Sequence, residues 1–83
     1  MIRFKLREQI AEKAFRENRR ITVTEVAQET GIARGVVSAL INQRGYNTQT
    51  VNLDRLCAYF KCELAELVEY VPDAELRRTG KKR

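Results

Sequence analysis

Residues 21–42 read ITVTEVAQETGIARGVVSALIN, and this stretch decides the fold. The hydroxyl of Thr22 can cap a helix, and Glu25 stands three residues on, where its side chain can return a bond to the Thr22 amide. Ile21 and Val26 occupy the two positions of a hydrophobic staple. The pattern therefore predicts that a helix begins at Thr22.

Gly31 predicts the end of this helix, because glycine readily adopts the left-handed conformation that closes many helices. This helix is helix 2 of the chain, and helix 3 is predicted over residues 33–42, only two residues later. Its inward stripe comprises Val37, Leu40 and Ile41. Two helices joined by a tight glycine turn have the arrangement of a helix-turn-helix.

Three further helices are predicted around this pair. Four-residue apolar spacing predicts helix 1 over residues 2–15, although the alternation in residues 2–6 also fits a short strand. Its inward residues would be Ile2, Leu6, Ile10 and Ala14, with Ala11 and Phe15 beside them. After a polar loop over residues 43–50, helix 4 would carry Leu53, Leu56, Cys57 and Phe60, and a short helix 5 would carry Leu64, Leu67 and Val68. Pro72 ends regular structure.

The expected fold class is therefore all-α, a compact five-helix domain over residues 1–73. At 83 residues the chain has room for one such core. The basic tail over residues 74–83 has no apolar residue to bury after Leu76, so it is predicted to be disordered.

The net charge of +5 is unevenly distributed. Residues 1–44 carry nine Lys or Arg against five Glu, residues 45–76 carry two against six acidic residues, and residues 77–83 add five basic residues. A basic first half is typical of a surface that lies on phosphates, with the acidic half turned away. Charge alone also fits an ordinary solvated surface.

Several function classes are disfavoured by composition. The chain has no histidine and only two cysteines, Cys57 and Cys62, which cannot complete a four-ligand zinc site. We expect no metal, no cofactor and no enzymatic activity. The cysteines are expected to be small buried hydrophobes in a reducing compartment, with a redox pair as the alternative. With no long apolar stretch, no membrane contact is expected and the predicted location is the cytoplasm.

The order and spacing of these features resemble the Cro/cI-type (XRE family) helix-turn-helix regulators, which have the lambda repressor-like five-helix fold. The resemblance covers nearly everything from Ile2 to Asp73. In the first half the matching residues are Thr22, Glu25, Val26, Ala27, Thr30, Gly31, Ile32, Val37, Ser38, Leu40 and Asn42. In the second half they are Leu53, Leu56, Cys57, Phe60, Cys62 and the run from Glu66 to Pro72.

The resemblance implies a small transcriptional regulator, a repressor, that binds double-stranded DNA and reads the major groove with helix 3. Base-facing residues would then be Ala33, Arg34, Gly35, Ser38 and Ala39. Phosphate-binding residues would be Thr24, Asn42, Gln43 and Arg44. A homodimer on two half-sites is expected, with Tyr70, Val71 and Leu76 as candidates for its surface, although these residues could instead cover the domain's own core.

Arg34 is the strongest candidate reader, since arginine can bond both O6 and N7 of guanine. It could instead neutralise a phosphate. Glycine destabilises a helix relative to alanine, so its presence at position 35 needs an explanation. Either the helix backbone approaches DNA closely there, or the position is exposed and its residue type has drifted without a functional reason. The chain departs from the family pattern at Ala33, where a Ser or Thr cap is common, at Val23, where a glutamine often touches phosphate, and at Gln43, where a glycine usually ends helix 3.

One alternative keeps the fold and changes the function. An antitoxin or other protein-interaction module would bind a protein partner through the acidic second half of the chain. RNA binding is compatible with the charge, but the sequence offers no aromatic stacking platform. An enzyme is the least expected, because neither a metal cluster nor a glycine-rich phosphate loop is present.

Overall fold

A computed structural model describes residues 1–72 of the chain. The elements in chain order are β1 (Ile2–Phe4), α1 (Leu6–Glu17), α2 (Val23–Thr30), α3 (Arg34–Asn42), α4 (Thr50–Phe60), α5 (Leu64–Leu67) and β2 (Val68–Tyr70). The five predicted helices are confirmed. The tail over residues 74–83, with its predicted disorder, lies outside the described residues.

The helix-turn-helix forms as the local sequence predicts. The Thr22 hydroxyl accepts a hydrogen bond of 3.1 Å from the Glu25 amide, and α2 ends at Gly31, whose φ of 75° is left-handed. Ile21 and Val26 are both buried. The cap and the glycine together determine where α2 begins and ends. The chain then enters α3 after a short turn.

The expected return bond from Glu25 to the Thr22 amide is not made. The Glu25 carboxylate instead accepts two hydrogen bonds from the Arg19 guanidinium, of 2.9 Å and 2.6 Å. Arg19 also donates from Nε to Glu17 at 2.8 Å. The prediction was wrong because a two-fold, charge-assisted bond to a guanidinium is stronger than a single bond to a neutral amide.

A short antiparallel sheet replaces the predicted first turn of helix 1. β1 pairs with β2 so that Ile2 lies opposite Tyr70, Arg3 opposite Glu69, and Phe4 opposite Val68. Val68 therefore lies in a strand and not in helix 5. The Arg3 guanidinium donates to Glu69 at 3.0 Å across the pair. The helical domain thus carries a two-stranded sheet that the all-α prediction lacked, because the pairing joins two distant parts of the chain.

The core lies between the helices. Its buried residues are Leu6, Ile21, Val26, Ala27, Ile32, Val37, Ala39, Leu40, Leu56, Phe60 and Leu67. Ile10, Ala14 and Ile41 pack against it as partly buried side chains. The prediction was wrong for Phe15, which is 83% exposed, and for Ala11, which is also exposed. Each stands one residue past an inward position, a rotation of about 100° around the helix.

The two cysteines are partly buried, free thiols that pack against the core. Burial first, and the neighbouring Cys57 second, raise the pKa of the Cys62 thiol to about 11. Little reactive thiolate is therefore present at neutral pH.

None of the helices in residues 1–72 is long and apolar enough to span a membrane.

Candidate nucleic-acid interface

The start of α3 is exposed, whereas the stripe that follows it is buried. Val37 and Leu40 are buried, whereas Ala33, Arg34 and Gly35 are exposed. Ala33 makes no side-chain cap, and its carbonyl accepts the amides of Val36 and Val37 at 3.0 Å and 3.1 Å. The core contacts therefore fix α3 on one side and leave its first turn open on the other.

The side chain of Arg34 makes no salt bridge within residues 1–72, so its five donors are available to a ligand there. Gly35 lies next to it, and a Cβ built at Gly35 would meet nothing within 4 Å. No contact within residues 1–72 explains why this helix position is a glycine. Arg34 and Gly35 thus form an open, positively charged surface at the start of α3.

One turn further along α3, the two predicted base-facing residues Ser38 and Ala39 differ in their exposure. Ser38 is half-buried, and its hydroxyl accepts a bond of 3.3 Å from the Asn42 side-chain amide. Ala39 is only 7% exposed, so little of its side chain is available to a base in the free domain. It is buried, although it is not among the residues of the core cluster that Val37 and Leu40 join. The readable surface of α3 is therefore concentrated in its first turn.

The start of α2 offers a second set of donors. Thr24 is exposed in the first turn of α2, beside the capped amide of Glu25. Helix geometry leaves the first amides of α2 without partners inside the helix, and the helix dipole adds positive potential there. Arg20 is exposed nearby, whereas Arg19 is held by Glu17 and Glu25. The free amides, Thr24 and Arg20 could therefore bind an anion at the start of α2. Arg19 has a structural role instead, because it is paired with Glu17 and Glu25.

The loop after α3 carries the remaining predicted phosphate residues. Asn42, Gln43 and Arg44 are all exposed, and the chain turns at Gly45, whose φ is 65°. Gly45 thus supplies the left-handed turn that the family pattern places at the end of helix 3, since Gln43 is extended.

The Asn42 side chain is engaged at both ends. Its Oδ1 accepts a hydrogen bond of 3.1 Å from the guanidinium of Arg7, and its Nδ2 donates to Ser38. Arg7 is not among the residues that the sequence predicts to bind phosphate. In the predicted helix 1, which begins at residue 2, Arg7 lies beyond the first turn. In the structure α1 begins at Leu6, so this cation lies in the first turn, where the helix dipole disfavours positive charge.

The sequence model of the Cro/C1-type HTH DNA-binding domain matches residues 5–73. The chain belongs to this family. Family membership assigns the Cro/C1-type domain DNA binding and a role in transcription regulation, in agreement with the resemblance drawn from residues 22–72. No curated protein and no solved structure gives a significant match. In this Cro/C1-type domain α2 and α3 are the two helices of the helix-turn-helix.

Proposed function

We propose that the domain is a sequence-specific transcriptional regulator that reads the major groove of double-stranded DNA with α3. The observation that carries the proposal is the exposed first turn of α3. There Arg34 has no carboxylate partner within residues 1–72, while Val37 and Leu40, further along the helix, are buried in the core. A helix presented in this way can enter a groove without unfolding any part of the domain.

Base reading would rest mainly on Arg34. A guanidinium that bonds O6 and N7 of one guanine discriminates against other bases by about 1–3 kcal/mol. Ala33 offers a methyl group to thymine beside it. Gly35 allows the helix backbone to approach the bases, since the space around its Cα is open. Ser38 lies deeper and plays the smaller part.

Phosphates would be bound on both sides of this reading surface. The first amides of α2 with Thr24 precede α3 in the chain, and the loop of Gln43 and Arg44 follows it. These contacts would fix the register of α3 on the duplex without reading sequence. Each neutralised phosphate steepens the fall of log affinity with log salt by about 0.9, so binding should be strongly salt-dependent.

Selection of bound sequences from random DNA, with the wild-type chain and with Arg34→Ala, tests this function. We expect a defined wild-type motif and a variant that loses preference at one base position. Arg16→Ala is the matched control, because Arg16 is an exposed arginine on α1 without a salt bridge within residues 1–72. If Arg34→Ala weakened all sequences equally, Arg34 would be a phosphate contact and not a base reader.

We further propose that the domain acts as a homodimer that represses transcription by occupying two half-sites about 34 Å apart. Ile2 and Tyr70 face each other across the sheet and are 45% and 68% exposed, which supports this sheet as the dimer surface. Both strands are edges within the described sheet, so a second copy could pair with one of them. Leu76, the third candidate, lies outside the described residues.

Sedimentation of the free chain and of its complex with a palindromic site tests the dimer. We expect two copies on the site, and Tyr70→Lys should reduce that number to one at moderate concentration. Val51→Lys is the control, because it places the same charge at an exposed apolar residue on α4. A monomer both free and on DNA would remove the dimer from the proposal.

A second candidate function is a protein-interaction module, as in an antitoxin. It is favoured by the exposed Leu64 in the acidic second half of the chain, 52% accessible and flanked by Glu63. Copurification of a stoichiometric protein, without DNA retardation at low salt, would support this function over the first.

A further inference from the structure

Arg7 lies at the opposite end of the proposed interface from α2. It is exposed in the first turn of α1, and its guanidinium donates to Oδ1 of Asn42, the last residue of α3, at 3.1 Å. This hydrogen bond joins two residues that are 35 positions apart in sequence. It therefore fixes a cation from α1 beside the end of the helix that we propose reads DNA.

The charge of Arg7 is not neutralised by this contact, because an amide oxygen carries no net charge. Arg7 forms no salt bridge within residues 1–72. Arg3 differs, since its guanidinium binds both Glu8 at 2.9 Å and Glu69 at 3.0 Å. A cation in the first turn also opposes the dipole of α1. Arg7 thus lacks the electrostatic partner that a structural role would supply.

A cavity of about 380 Å³ opens between the start of α1 and the loop after α3. Arg7, Asn42 and Arg44 are among its polar lining, and Phe4 and Leu40 contribute to its apolar wall. Glu8 is the one carboxylate among its lining residues, and Arg3 already binds it. The cavity therefore has a positively charged lining, in which Arg7 and Arg44 form no salt bridge within residues 1–72, and this lining suits a phosphate group.

We propose that Arg7 binds a phosphate of the DNA backbone beside the loop of Gln43 and Arg44, and that Asn42 is the positioning residue that aims it. The inference rests on the proposed function and extends its phosphate contacts from α2 and α3 to α1. Asn42 then acts through Arg7, because its own amide is engaged by Arg7 on one side and by Ser38 on the other.

Arg7→Gln in the full chain tests the contact, with affinity measured between about 50 and 200 mM salt on a selected sequence and on a scrambled one. We expect affinity to fall about tenfold on both sequences, as for the loss of a charged hydrogen bond. The slope of log affinity against log salt should become shallower by about 0.9. Arg7→Lys, which keeps the charge, should retain most of the slope.

Arg16→Gln is the matched control, since it removes the same charge from the same helix about 13 Å further along. It should leave affinity and slope near wild type. A double-mutant cycle with Asn42→Ala tests positioning: we expect a loss in the wild-type background and little further loss after Arg7→Gln. Equal losses in both backgrounds would overturn the positioning role. Thermal unfolding of each variant should show that Arg7→Gln keeps the domain folded at the assay temperature.

Failure of this inference is distinguishable from failure of the proposed function. If the wild-type chain selects a motif that depends on Arg34 while Arg7→Gln behaves like Arg16→Gln, only the Arg7 contact is wrong. Titration with inorganic phosphate alone separates the two sources of a phosphate group. Saturable phosphate binding that is lost in Arg7→Gln, with unchanged DNA affinity, would assign the cavity to a free anion and overturn the proposal.

Discussion

The Arg19 guanidinium donates two hydrogen bonds, of 2.9 Å and 2.6 Å, to the Glu25 carboxylate at the start of α2. Arg19 also binds Glu17 at the end of α1, so one side chain joins the two helices. The hydrogen bond from Arg19 holds the pKa of Glu25 below its ordinary value of 4.5. Hydrogen bonds from Lys13 and then Arg19 lower the pKa of Glu17 in the same way.

Stability should therefore fall in acid. Because the pKa values of both carboxyls are lower in the folded chain than in the unfolded chain, their contribution is present above pH 4.5 and is lost as the pH falls further. We expect Glu25→Gln to lower the melting temperature slightly at pH 7 and to flatten its decline between about pH 5 and pH 3. Glu12→Gln is the control, because Glu12 has no salt bridge within residues 1–72. Parallel acid profiles for both variants would contradict the prediction.

Thr22→Ala should destabilise the domain by about 1 kcal/mol, because it removes the hydroxyl that accepts the Glu25 amide at the start of α2. Urea unfolding measures this loss. Thr22→Ser should restore most of it. Thr24→Ala, two residues after the cap and exposed, should leave stability almost unchanged and weaken DNA binding. Equal stability losses for Thr22→Ala and Thr24→Ala would contradict the assignment of the cap.

Two glycines should respond to alanine in opposite ways. Gly31→Ala should cost about 1 kcal/mol, since φ is 75° at this position and side chains disfavour it. Gly35→Ala should stabilise the domain by about 0.5–1 kcal/mol, because the site is helical and open. If the backbone at Gly35 approaches DNA closely, the same variant should bind DNA more weakly. A stabilised Gly35→Ala with full affinity would favour drift as the origin of this glycine.

Arg34→Lys should keep the positive charge in the first turn of α3. It should remove the planar guanidinium donors that can bond two acceptors of one guanine at once. We expect the salt dependence of binding to stay near wild type, while preference at one guanine position falls by about 1–3 kcal/mol. Competition between the selected site and single-base variants measures this preference. Unchanged discrimination by Arg34→Lys would mean that charge alone matters at this position.

The parts of the fold that could be predicted are those set by neighbours in sequence. Thr22 and Gly31 determine the ends of α2 by local backbone chemistry, and the stripe of Val37 and Leu40 follows from helix geometry. Phe15 was wrongly predicted to lie beside the inward residues of α1. The four-residue spacing of apolar residues shows where the buried stripe runs along the helix, but not how many neighbouring residues it includes. Which flank of α1 meets the other helices is decided by packing, as the exposed Phe15 shows.

The missing parts depend on partners far away in the chain. Residues 2–6 alternate as a strand does, but the strand that pairs with them begins at Val68, at the end of an apolar helical spacing. The bond between Arg7 and Asn42 joins α1 to α3 and has no sequence signature. For the candidate site, Arg34 and Arg44 followed from motif order, whereas the burial of Ala39 required the packing of α3.

The sheet between β1 and β2 has a consequence for how the domain folds and opens. Its ion pair of Arg3 and Glu69 joins residues 66 positions apart, whereas the helix-turn-helix closes over a short loop. Closing the longer loop costs more chain entropy, so the strands should pair late in folding and separate early in local unfolding. Met1 and Val71, which bond each other beside the sheet, also line the cavity that contains Arg7. A phosphate bound there would protect the amides of both strands from hydrogen exchange by mass action.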